Sequence, residues 1–106
     1  MPRQYKRFPI ALEIVLDFSS GKREARISDL SLSGCFIDIV VNVSVGETVF
    51  FKLCTPSGQW VELSGEVIYH MPNFGFGIRF TDLPEEKQKL LKQIILARGG
   101  DPRAAD

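Results

Sequence analysis

Ile10-Ala11-Leu12-Glu13-Ile14-Val15-Leu16-Asp17-Phe18 alternates without a break, with Ile10, Leu12, Ile14, Leu16 and Phe18 on one side and Ala11, Glu13, Val15 and Asp17 on the other. A period of two over nine residues predicts a half-buried β-strand. Ser19-Ser20-Gly21-Lys22 supplies a turn, and Arg23 to Leu30 returns with Ala25 and Ile27 inward and Glu24, Arg26 and Ser28 outward, giving a hairpin. The same alternation recurs downstream. Cys35 to Val41, Thr48 to Leu53, Trp60 to His70 and Phe74 to Phe80 are each strand-like, separated by turns at Asn42–Glu47, Pro56-Ser57-Gly58 and Met71-Pro72-Asn73. In the long strand, Val61, Leu63, Gly65, Val67 and Tyr69 are expected to share one face, opposite Glu62, Ser64 and Glu66. Six short strands at this spacing predict an antiparallel barrel or sandwich.

The period changes once. After Thr81-Asp82-Leu83-Pro84-Glu85-Glu86, Leu90, Leu91, Ile94 and Ile95 recur at helical spacing, with Asp82 as the expected cap and Gly99-Gly100 as the stop. The chain divides into a basic arm (1–8), a barrel with a C-terminal helix (9–98) and a polar tail (99–106). At 106 residues it forms one domain with a single core.

The 13 basic and 13 acidic side chains balance, which argues against nucleic acid as a partner. No run approaches the roughly 18 to 20 apolar residues that span a bilayer, and the start has no signal-peptide core, so membrane insertion is not expected and a cytoplasmic location is. Cys35 and Cys54 sit singly in apolar runs and read as packed, reduced thiols; no metal site is expected. His70 with Ser31 and Asp29 contains the residue types of a hydrolytic triad, but no nucleophile elbow or oxyanion motif surrounds them, and no enzyme is expected. Glu62 and Glu66 share a strand face and read as a solvated pair. Gly75-Phe76-Gly77 is not a phosphate loop, because no Gly-Lys-Ser/Thr and no helix follow; a strand bulge or close strand crossing accounts for it.

Two short stretches carry chemistry. Arg3 and Arg7, with Lys6 between them, place guanidinium forks on an arm without apolar pattern, suited to phosphates and guanine edges. Asp29-Leu30-Ser31-Leu32-Ser33-Gly34 is a polar turn that Gly34 can close by a positive φ or a close backbone approach. If strand geometry persists to Ser31, Asp29 and Ser31 project to one side, where the carboxylate suits a guanine N1–H or 2-amino group. The same residues also suit a purely structural Asx turn, so the turn alone is read both ways.

Arg3-x-x-x-Arg7 followed by Asp29-x-Ser31-x-x-Gly34, ahead of Gly75-Phe76-Gly77-Ile78-Arg79-Phe80, resembles the PilZ domain family, whose signature is RxxxR and then (D/N)xSxxG. The resemblance runs from Arg3 to about Ala97. It implies a six-stranded antiparallel β-barrel that binds the bacterial second messenger cyclic di-GMP, with the arginine arm wrapped over the ligand. It implies Arg3, Arg7, Asp29, Ser31 and Gly34 as ligand contacts, with Tyr69 and Arg79 as additional candidates. Pro2 stands where members that take up an intercalated nucleotide dimer often carry another arginine, which favours a single bound molecule or weaker binding. The expected function is a non-catalytic receptor that relays the nucleotide to an effector protein; the alternative is a nucleotide-independent adaptor in motility or pilus machinery, for which an exposed Trp60 or Phe36 would speak.

Overall fold

A computed structural model describes residues 8–98 of the chain. Six strands run β1 Phe8–Phe18, β2 Gly21–Leu30, β3 Gly34–Asp38, β4 Thr48–Cys54, β5 Trp60–Met71 and β6 Gly75–Thr81, and one helix follows, α1 Glu85–Ala97. All pairings are antiparallel, in the order β1-β2-β3-β6-β5-β4, and β4 returns to β1 through Ile14↔Leu53 and Leu16↔Phe51. The sheet is thus a closed barrel. Closure pairs each of the six strands on both sides over at least part of its length.

The alternation of β1 is what fills it. Ile10, Leu12, Ile14 and Leu16 are all buried, as are Val49, Phe51 and Leu53 of β4 and Phe76 and Ile78 of β6. Leu91, Ile94 and Ile95, at i, i+3 and i+4 on α1, join the same core cluster. Burial of each such aliphatic side chain contributes about 1.5 to 3 kcal/mol, and this is what holds the helix on the barrel.

Asp82 does not cap α1. Pro84 is the N-cap residue and makes no side-chain capping bond, while Asp82 adopts φ 49° in the preceding turn. Proline fits because its φ is already near −65° and it has no N–H to leave unmet. The Pro84 carbonyl accepts from the Lys87 and Gln88 N–H groups, and Gln88 Nε2 donates to the Leu83 carbonyl at 3.0 Å. The expected stop at Gly99-Gly100 and the arm from 1 to 7 lie outside the described residues.

The ladders slip at three places, between Pro9 and Leu12 in β1–β2 and at two further points that decide which side chains face out on β2 and β5. Between Ile27 and Asp29 the β2–β3 ladder slips: Ile27 pairs with Ile37, but Asp29 pairs with Phe36, so Ser28 is the extra residue. Between Val67 and Tyr69 the β5–β6 ladder slips in the same way at Ile68. A bulge inserts one residue and so exchanges inside for outside along the rest of the strand. Tyr69 is therefore not on the inner face with Val61, Leu63, Gly65 and Val67. It pairs with Gly77, on the face opposite the buried Phe76 and Ile78.

Candidate functional site

After the two bulges, one outward row crosses five strands. Pro9 pairs with Asp29, Asp29 with Phe36, Phe36 with Gly77, and Gly77 with Tyr69. Cross-strand partners lie within about 5.5 Å of each other, so the carboxylate and the two aromatic rings belong to one surface. Gly77 makes this possible. A Cβ there would lie 2.3 Å from Tyr69 Cε1, so the Tyr69 ring lies across the glycine and stacks on Phe36, with centroids 6.0 Å apart and planes at 29°. The pair is a ready stacking surface for a planar base.

The polar turn sits at the end of this row. β2 stops at Leu30, so Asp29 and Ser31 do not continue as strand neighbours. Asp29 Oδ1 accepts from the Phe36 N–H at 3.1 Å, which ties the carboxylate to the backbone at the middle of β3. Ser31 is buried, with 1% of its surface exposed. Its hydroxyl accepts from the N–H groups of Ser33 at 3.1 Å and Gly34 at 3.2 Å and lies 3.0 Å from the Ser33 hydroxyl. Ser31 N–H in turn donates to the Gly34 carbonyl at 2.9 Å. The turn is internally satisfied and hence rigid before anything binds.

Of the two reasons sequence offers for Gly34, close approach is the one realised. Gly34 is not among the positive-φ residues, but a Cβ on it would meet the Ile78 carbonyl oxygen at 2.0 Å and Arg79 Cα at 3.2 Å. Its missing side chain lets β6 lie directly against the turn, and Phe80 N–H bonds to the Ser33 carbonyl at 2.9 Å. Gly34 pairs with Arg79, and Arg79 pairs with Glu66. Arg79 Nη2 donates to Glu66 Oε1 at 2.8 Å in an exposed ion pair. Glu66, expected to be merely a solvated face residue, is thus engaged beside the site.

The arm's arginines are outside the described residues, but their attachment point is fixed. Phe8 pairs with Leu30, so the chain that follows Arg7 enters the barrel beside Asp29 and Ser31. His70 is elsewhere. On β5 it pairs with Phe76 of β6, whereas Ser31 bonds to Gly34, whose partner Arg79 lies three residues further along β6. Three residues span about 10 Å, so the register does not assemble a Ser31–His70 pair. Among the described residues no group of three or more His, Cys, Asp or Glu could hold a metal ion, and no helix is long and apolar enough to cross a membrane. A broad groove of about 670 Å³ lies on the outside of β1 and β2, lined by Glu13, Glu24, Arg26, Asp38 and Trp60 among others, away from the polar turn.

Phe36, Gly77 and Glu66 are the residues that sequence reasoning left out of the site. Gly77 had a signal, a glycine alternating with buried aromatics on a strand, but what lies over it depends on the Ile68 bulge.

The architecture has solved counterparts. Bacillus subtilis inhibitor of motility, MotI/DgrA, aligns with TM-score 0.75 at 16% identity, over 91% of this chain and 50% of that one. Escherichia coli YcgR in complex with c-di-GMP aligns with TM-score 0.78 at 15% identity, over 92% and 46%. The Borreliella burgdorferi PlzA protein in complex with c-di-GMP aligns with TM-score 0.66 at 19% identity, over 87% and 40%. The chain thus spans half or less of the length of these proteins. A search of curated proteins returned no match. The PilZ domain family model matches residues 2–97, nearly the whole barrel, its helix and most of the arm, and the chain therefore belongs to the PilZ domain family.

Proposed function

We propose that this chain is a non-catalytic receptor for cyclic di-GMP, which binds across the outward row at the Asp29–Gly34 turn. The observation that carries the reading is the row itself: a carboxylate, an aromatic pair and a rigid polar turn on one surface, where the chain enters directly after Arg7. Asp29 accepts from a guanine edge, Tyr69 and Phe36 offer the stacking face, and Arg3 and Arg7 close over base and phosphate. Ser31 and Gly34 keep the turn in shape. Ordering of the arm on the ligand changes the surface presented to an effector protein, which is the relay. The cyclic di-GMP complexes of YcgR and PlzA support the ligand, and the motility inhibitor supports a motility context.

The nucleotide-independent adaptor reading draws on a different observation, the exposed Trp60 (49%) and Phe74 (67%). Thermal unfolding separates the two. Cyclic di-GMP at about 100 times its dissociation constant stabilises a receptor by roughly 2.7 kcal/mol, a shift on the order of 10 °C for a domain near this size. The receptor reading expects that shift with cyclic di-GMP and none with GTP. An unchanged midpoint at millimolar cyclic di-GMP would remove it and leave the adaptor.

A further inference from the structure

Arg79 has two neighbours across the strands, and they differ completely. On β5 stands Glu66, whose carboxylate holds the guanidinium at 2.8 Å; on β3 stands Gly34, which offers bare backbone and no side chain. Gly34 puts only backbone between Arg79 and the polar turn, and β6 packs directly on it, with Arg79 Cα 3.2 Å from where a Cβ would stand. Adjacent strands are about 4.8 Å apart, within the length of an arginine side chain. Arg79 can therefore lie on Glu66 or reach over Gly34 to whatever occupies the turn.

We propose that Glu66 is a built-in competitor for Arg79: it holds the guanidinium in the empty protein and yields it to an anionic nucleotide, so that it sets the affinity of the site. The inference rests on the cyclic di-GMP reading and adds a tuning residue to it. The pair suits the task because it is weak. Arg79 and Glu66 side chains are 65% and 37% exposed, and exposed pairs of this kind are worth only a few-fold in an equilibrium constant. A phosphodiester or guanine edge offers the fork two acceptors at once, whereas the Glu66 contact is through Nη2 alone. Glu66 also places a negative charge beside an anionic ligand, so its release of Arg79 and its own repulsion act in the same direction. Replacing Glu66 by Gln keeps its size and removes both.

A double-mutant cycle on the full chain tests this, with cyclic di-GMP titrated calorimetrically into wild type, Glu66→Gln, Arg79→Ala and the double variant. Glu66→Gln is expected to bind about threefold more tightly and Arg79→Ala about tenfold more weakly, with far-UV circular dichroism unchanged because both groups are exposed. In the Arg79→Ala background, Glu66→Gln is expected to tighten binding by less than about 1.5-fold, since Arg79 is no longer there to release and only the solvent-screened repulsion of the ligand is left to remove. If wild type binds and neither single variant differs from it, or Glu66→Gln tightens binding equally in both backgrounds, competition for Arg79 is overturned while the receptor reading stands. If wild type does not bind cyclic di-GMP, the receptor reading falls and takes the competitor with it.

Discussion

Gly34→Ala is expected to lower the stability of the domain by about 3 kcal/mol or more, which moves the unfolding midpoint down on the order of 15 °C. The cause is backbone meeting side chain. The new Cβ would sit 2.0 Å from the Ile78 carbonyl oxygen and 3.1 Å from its carbon, and neither can turn away as the end of a flexible side chain could. Relief requires β3 and β6 to separate, which breaks into the Gly34–Arg79 and Cys35–Ile78 pairs and pulls on the buried Cys35, Ile37, Phe76 and Ile78 beneath them. With total stability of about 5 to 15 kcal/mol for a small domain, such a loss is a large share of the whole. Gly46→Ala provides the comparison. Gly46 has φ 93° but nothing within 4 Å of its would-be Cβ, so only backbone strain of about 1 to 2 kcal/mol is expected there. Denaturant titration of both variants measures the difference; a Gly34→Ala protein as stable as wild type would contradict the described approach of β6 to the turn.

Arg7→Ala is expected to weaken cyclic di-GMP binding between about ten- and a hundredfold while leaving the midpoint of the ligand-free protein in place. Hydrogen bonds to charged groups are worth about 1.5 to 3 kcal/mol, and each 1.4 kcal/mol is a factor of ten in the dissociation constant. Arg7 precedes Phe8, whose partner Leu30 lies between Asp29 and Ser31, so this arginine has the shortest path to the turn of the two in the motif. Arg3 must order four more residues to reach it, at about 1 to 2 kcal/mol of backbone entropy each, so Arg3→Ala is expected to cost less. Lys89→Ala is the control for charge alone: Lys89 is an exposed helix residue whose ion-pair partner among the described residues is Glu85, at 3.9 Å, and its loss is expected to leave affinity unchanged. Equal affinity of wild type and Arg7→Ala by calorimetry would remove the arm from the site.

How far these residues could be read from sequence depends on parity. The barrel strands were legible because Ile10 to Phe18 and Val49 to Leu53 alternate, and alternation is all a half-buried strand needs to declare itself. The helix was legible from Leu91, Ile94 and Ile95, although its cap was not: Asp82 has the favoured chemistry, yet Pro84 stands two residues nearer the helix and takes the N-cap place with φ −65°. The candidate site was half legible. The polar turn stood out by composition, but the row that joins Asp29 to Phe36 and Tyr69 exists only because Ser28 and Ile68 are bulged. An extra residue changes the face of everything after it without altering the sequence pattern, so alternation alone puts Tyr69 with Val61, Leu63 and Val67, and only the family resemblance marks it as a candidate contact. Glu66 reads from sequence as part of a solvated face because its ion-pair partner, Arg79, stands 13 residues away on the next strand.

The most direct test of the account is to map amide chemical shifts of the isotopically labelled chain during titration with cyclic di-GMP. The account predicts saturable shifts concentrated at Asp29, Ser31, Gly34, Phe36, Gly77, Tyr69 and Arg79, with Glu13, Glu24 and Trp60 on the outer groove of β1 and β2 unaffected. Shifts gathered at that groove instead, or none at millimolar nucleotide, would contradict it.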